Sequence, residues 1–195
     1  DHALEPTNPY SASKAAAEHM CMAYCKSFKM PVIITRTCNM YGRHQYPEKV
    51  IPRFALLAKR GLPCSVYGDG KAARSFIHVQ DAAEAFDIVV HKGVIGEKYN
   101  IGTNDLVTVR ELADKITLAV RGEHAEHAYV EDRVLNDSRY AVDYSKVRAL
   151  GWAQRIPFDD GLQRTIEWYL EYGDMHWKAE HYDKALFERM GVRIA

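Results

Sequence analysis

"VIITR", residues 32–36, is a continuous apolar and β-branched run set directly behind Pro31. Four β-branched residues in succession, closed by Arg36, are the pattern of a strand covered on both faces, as in a parallel sheet flanked by helices. Such a strand needs parallel neighbours, because its backbone donors and acceptors must be paired. The chain offers few comparable strands after it and none before it, so the missing neighbours are expected N-terminal to Asp1. The fold class read from this is α/β: the back half of a doubly wound parallel sheet.

Working outward, residues 10–28 read as a helix, rich in alanine at 12 and 15–17, with Pro9 at its mouth and Asn8 as N-cap. Downstream of the strand, "CNMYGRHQYPEK" reads as a polar loop, and a helix over 51–60 is closed by Gly61. Short strands are expected at 65–67 and 75–79, separated by the turn "GDGKAAR". An amphipathic helix over 80–91, a strand at 99–102 and a helix over 108–120 bearing Val109, Leu112 and Ile116 follow. A strand at 128–130, a polar loop to Tyr140, and helices over 144–150 and 158–172 complete the reading. No internal repeat or low-complexity linker interrupts it.

Composition narrows the function classes. The 195 residues fit one domain or slightly more, and Lys plus Arg equals Asp plus Glu at 26 each. No basic field points to nucleic acid or a membrane surface, and no apolar run approaches the ~18 residues of a membrane span. The opening "DHALEPTNPY" has neither a basic leader nor an apolar core, so it is not read as a signal peptide. It also lacks an initiator methionine, so the chain is expected to be a fragment, a processed product or part of a larger polypeptide. Cys21, Cys25, Cys38 and Cys64 form no CxxC pair and read as reduced, packed thiols of a cytoplasmic protein. His124 and His127 lack a third ligand at useful spacing, so no metal is expected.

Chemistry first appears in "NPYSASKAAAEHM" (8–20), where Tyr10 and Lys14 leave one helix face a turn apart. An ammonium close to a phenol favours the phenolate and makes tyrosine a usable general acid/base near neutral pH. Spacing alone is weak evidence, because Tyr67 and Lys71 share it within "YGDGK", a glycine turn with no shared face.

Context decides in favour of the first pair. "NPYSASKAAAEH" followed by "VIITRTCNMYGRHQYPEKVIPRF" resembles the extended short-chain dehydrogenase/reductase family. Within it, the chain is similar to the nucleotide-sugar 4,6-dehydratases, including dTDP-glucose 4,6-dehydratases and the dehydratase region of plant-type UDP-rhamnose synthases. The resemblance continues through "VYGDGKAARSFIHVQDAAEAF", "GEKYNIGTN", "EDRVLNDSRYAVDYSKVRALGW" and "GLQRTIEWY", from about Pro6 to Tyr172. It implies NAD as cofactor, a nucleotide-sugar substrate, a role in rhamnose-type sugar biosynthesis, and a homodimer paired through the tyrosine-bearing helix. It further implies a Rossmann-like sheet with a smaller α/β substrate-binding domain, residues 1–45 being the C-terminal part of the NAD-binding Rossmann domain, interleaved with segments near 75–100. Residues 46–175 would be mainly the nucleotide-sugar domain and 176–195 a tail.

Residue by residue, the resemblance makes Tyr10 the base for the sugar 4-hydroxyl and Lys14 its ribose-binding partner, with Ser11 only assisting. Thr37 and Cys38 would lie near the nicotinamide, Cys38 as a small packed residue rather than a nucleophile. Asn39 would contact the substrate phosphates, with plain turn duty as the competing reading. Lys49, at the mouth of a helix, would meet the diphosphate, against a solvated surface lysine. Arg74 and Arg133 would clamp the diphosphate through planar forks. Tyr67 as a platform for the base, and Asn136 as a contact to diphosphate or ribose, compete evenly with packing and turn roles.

The chain departs from the family's pattern at Val134, where a proline commonly follows the arginine. The glycine-rich dinucleotide fingerprint and the Thr-Asp-Glu segment that carries water elimination do not occur and are expected upstream. On that expectation these residues alone neither bind NAD tightly nor turn over. The alternatives left open are a 4-epimerase or decarboxylase of the same family, and a non-catalytic member serving as a structural subunit.

Overall fold

The computed structural model describes residues 4–131, 139–140 and 142–176. Its elements run α1 Pro9–Phe28, β1 Ile34–Thr37, β2 Asn39–Tyr41, α2 Val50–Lys59, β3 Cys64–Tyr67, β4 Ala73–His78 and α3 Val79–Lys92. They continue β5 Lys98–Ile101, β6 Leu106–Thr108, α4 Val109–Arg121, β7 His127–Val130, β8 Arg139–Tyr140, α5 Ser145–Ala149 and α6 Phe158–His176.

The helices start where local chemistry says they should. The Asn8 side chain accepts from the Ser11 N–H at 2.9 Å, and Pro9 occupies the first turn of α1. Thr108 and Glu111 form a reciprocal capping box that opens α4, and Gly122 ends it in the left-handed region at φ 74°. α6 runs four residues beyond the expected Tyr172, and Gly173 in this last turn packs close against Leu56 of α2.

Three parallel pairs carry the sheet framework: β1 with β5, β2 with β4, and β3 with β7. β6 joins β4 antiparallel and β8 joins it parallel, both at its N-terminal end. The segment expected to be only a polar loop therefore contains β2, in register with β4 from Asn39↔Phe76 to Tyr41↔His78. β6 is likewise absent from the sequence reading. Three-residue strands have too few side chains to show alternation, and pairing with β4 alone fixes them.

Two apolar clusters hold these layers. One packs α2, α4 and α6 around Phe54, Leu57, Leu112, Ile116, Ile166 and Tyr169. The other gathers Cys38, Ile77, Val89, Tyr99 and Ile101 beneath α3, and Val147 and Trp152 join it. The expected burial of β1 on both faces is not met within the described residues. All four of its residues are half-buried, because among the described residues β1 is hydrogen-bonded along one edge, to β5. α1 buries no residue fully, and its Phe28 is 72% exposed.

Candidate functional site

α1 lies against the β1–β5 pair through a charged anchor. Arg36 in β1 donates from Nε and Nη2 to the two Glu18 oxygens at 2.9 and 2.5 Å. Lys98 in β5 lies 3.2 Å from the same carboxylate. The Glu18 side chain is only 12% exposed. The Arg36 hydrogen bonds, and then Lys98, hold its carboxyl below the usual carboxylate range despite burial. Tyr10, Lys14 and Glu18 make one i, i+4, i+8 row, so the anchor fixes the face that carries the Tyr10–Lys14 pair. Sequence reasoning missed Glu18. Its signal was an acid continuing that row within reach of a strand bearing an arginine.

Tyr10 is 73% exposed. Lys14 is also exposed, and neither side chain makes a hydrogen bond or ion pair among the described residues. The helix thus presents a hydroxyl and an ammonium side by side with no protein partner. The decoy behaves differently. Lys71 is drawn to Asp69, its N–H and ammonium bonding the carboxylate at 2.9 and 3.0 Å, inside a turn with Gly68 and Gly70 at positive φ.

Thr37 ends β1, half-buried. Cys38 follows it at 3% exposure, its N–H donating to Ile101 O at 2.9 Å. Burial pushes the Cys38 thiol up, only partly offset by a hydrogen bond with Ser75. A raised thiol with little access is a poor nucleophile, so the geometry gives Cys38 a packing place. Asn39 is exposed, and its amide donates to Ser75 O at 3.2 Å. Lys49 is the N-cap residue of α2 and makes no side-chain cap bond, so its ammonium is exposed beside the free N–H groups of a helix start.

Tyr67 closes β3 and Arg74 lies in β4, both half-buried, on either side of the 68–72 turn. Arg74 donates to Ala73 O at 3.0 Å and has further partners. Arg133 and Asn136 lie outside the described residues, as do residues 177–195 of the expected tail. The flanks of that first stretch are described: Val130 pairs with Tyr67 and Arg139 with Ala73. The chain therefore leaves β7 beside Tyr67 and returns beside Arg74. His124 and His127 both approach one Asp114 oxygen, at 3.7 and 3.5 Å. Even so, no group of three or more ligating side chains among the described residues could hold a metal.

The structure puts Tyr10 and Lys14 on one face of α1, and Tyr67 and Arg74 on the strands either side of the 68–72 turn. Thr37, Cys38 and Asn39 form the continuous passage from β1 into β2 between them in sequence.

Comparison with known proteins follows this geometry. The chain is 47% identical over 169 residues to the trifunctional UDP-glucose 4,6-dehydratase/UDP-4-keto-6-deoxy-D-glucose 3,5-epimerase/UDP-4-keto-L-rhamnose-reductase RHM2 of Arabidopsis thaliana. That match covers 86% of this chain and 25% of the plant protein. The dTDP-glucose 4,6-dehydratase of Bacillus anthracis, solved in complex with NAD, superposes with a TM-score of 0.84 at 41% identity. It is matched over 90% of this chain and 56% of its own. The UDP-glucose 4-epimerase of Thermus thermophilus, solved with NAD, gives 0.78 at 30% identity, over 85% of this chain and 55% of its own. The chain thus spans about half the length of the solved relatives. The profile described as GDP-mannose 4,6 dehydratase matches residues 1–165, and the chain belongs to that family.

Proposed function

We propose that the chain is the C-terminal portion of an NAD-dependent nucleotide-sugar 4,6-dehydratase acting on dTDP- or UDP-glucose. The observation that carries this reading is the exposed Tyr10–Lys14 pair, held on a capped helix and aligned by Glu18. An unpartnered hydroxyl and ammonium on one face fit a cofactor ribose and a sugar hydroxyl. Bound NAD would supply a reversible two-electron acceptor for sugar C4, returned later at C6. Tyr10 takes the proton from the 4-hydroxyl as that carbon is oxidised, and Lys14 keeps the phenolate available and donates to the ribose. Thr37 and Cys38 pack beside the nicotinamide. Lys49, Arg74 and Arg133 receive the diphosphate with Asn39 and Asn136, and Tyr67 supports the base.

The acids that expel water across C5 and C6 belong, on this reading, to a complementary N-terminal region that completes the unit. The open edge of β1 and the lightly covered α1 support such a partner. Residues 1–45 with 75–100 then form the cofactor side, and 46–175 mainly the sugar side. Met20, Tyr24 and Phe28 form an exposed i, i+4, i+8 stripe on α1 that supports pairing of two copies. The four free cysteines support a cytoplasmic location.

The test incubates the protein containing this chain and its complementary half with UDP-glucose and dTDP-glucose, and follows product mass. Loss of one water marks the dehydratase, and unchanged mass with an inverted C4 marks an epimerase. Tyr10→Phe should lower turnover by about 10²–10⁴-fold while nucleotide-sugar affinity holds within about two-fold. Unchanged turnover refutes the assignment of Tyr10.

A further inference from the structure

A polar cavity lies where the end of β4, the loop after β2 and α6 meet. Its volume is about 210 Å³, and it is lined by Arg43, His78, Gln80, Arg164, Thr165 and Trp168. That is smaller than the ~300–1,000 Å³ pockets that enclose drug-sized ligands, so a nucleotide-sugar does not fit. None of these residues belongs to the set assigned above to cofactor or sugar.

Its chemistry is one-sided. His78 is 7% exposed, and its Nδ1 accepts from the Gln80 N–H at 3.3 Å. The neutral ring therefore carries its proton on Nε2, which makes no hydrogen bond among the described residues. Arg43 and Arg164 are exposed and have no hydrogen bond or ion pair among those residues. Gln80, in the first turn of α3, lines the same space and offers an amide donor beside its carbonyl oxygen. Thr165 gives its proton to Gly161 O at 2.7 Å, so its hydroxyl donates nothing here.

Among the described residues no carboxylate lines the cavity. The buried Asp81 is turned to the backbone N–H groups of Arg155 and Ile156, at 3.1 and 3.0 Å. Asp159 is bound by Lys115 at 2.8 Å, and Asp160, one turn before Arg164, makes no ion pair with it among the described residues. The His78 ring registers the resulting field: burial first, then Arg164 and Arg43, push its pKa down against the pull of Asp81. Trp168 closes one side as an aromatic wall, braced by the rings of His44 and His176 at 4.5 and 5.2 Å. Two guanidiniums without a hydrogen bond or ion pair, and a histidine ring N–H without an acceptor among the described residues, line a space that admits a phosphate group.

We propose that this cavity is an oxyanion site that takes a single phosphate group, free or as a small monoester. Occupancy would tie the loop after β2, through Arg43, to α6, through Arg164. The proposal does not depend on the dehydratase reading, since it concerns binding alone.

The test titrates inorganic phosphate, and separately ribose 5-phosphate, into the chain at constant ionic strength, reading the His78 ring and arginine Nε–H resonances. Saturable shifts are expected. Arg43→Gln and Arg164→Gln, both at exposed positions, should each weaken binding about ten-fold. His78→Asn keeps a side chain able to cap α3 and should weaken binding similarly. Arg121→Gln, at the far end of α4, should leave it unchanged. Tighter saturation by ribose 5-phosphate identifies a monoester as occupant, and tighter saturation by phosphate identifies the free anion. Shifts that never saturate with either probe, or that persist equally in all three site variants, overturn the proposal.

Discussion

Glu18→Gln tests whether the ion cluster under α1 holds the Tyr10–Lys14 face in place. Glu18 accepts two Arg36 hydrogen bonds and faces Lys98. Charge-assisted bonds contribute ~1.5–3 kcal/mol each, and glutamine retains one neutral bond of ~1 kcal/mol. Arg36 and Lys98 are 38% and 43% exposed, so solvent screens much of the charge term. The expected loss is about 2 kcal/mol, equivalent to a ~30-fold rise in local opening. Hydrogen exchange of the α1 amides at residues 14–22 and urea denaturation measure both quantities.

The pH dependence follows from the lowered Glu18 pKa. A depressed carboxyl contributes stability that is fully present above its unfolded value of about 4.3 and lost as pH falls through the folded value. The gap between parent and variant should therefore hold from pH 7 to about 5 and close in more acidic solution. A urea difference below about 0.5 kcal/mol at pH 7, or a gap unchanged at pH 3, refutes the anchor.

Two further substitutions test the packing behind the site. Asp81→Ala strips acceptors from the Arg155 and Ile156 N–H groups and should cost about 3 kcal/mol. Asp81→Asn should recover part of it, and a urea-measured loss under about 1 kcal/mol counts against the role. Gly161→Ala drives a methyl into the Tyr41 hydroxyl, which donates to Phe158 O at 3.1 Å in the core. A loss of about 2–3 kcal/mol is expected. Tyr41→Phe should relieve part of that loss in a double-mutant cycle, and strict additivity would show that the two groups do not meet.

Local signals made much of the fold legible. Asn8 with Pro9, and Gly122 after α4, mark helix ends through backbone groups within a few residues, so the sequence carries them directly. The periodic Leu112 and Ile116 are buried as their spacing requires. β2, β6 and β8 were not legible. Their two or three residues become strands only because β4 offers an edge from elsewhere in the chain.

The candidate site divides along the same line. Tyr10 and Lys14 share a face because i and i+4 meet on any helix, and the alanine-rich context specifies that helix. The same spacing at Tyr67 and Lys71 means nothing, since Asp69 and two positive-φ glycines make it a turn. Glu18 with Arg36, Asp81 with residues 155–156, and the arginine-lined cavity join positions 18 to more than 120 residues apart. Sequence by itself determined which helix carries Tyr10 and Lys14 on one face, because capping and periodicity act between near neighbours. Only the tertiary structure decided what holds that helix and where unpaired donors collect, because charge pairing and burial depend on distance in space.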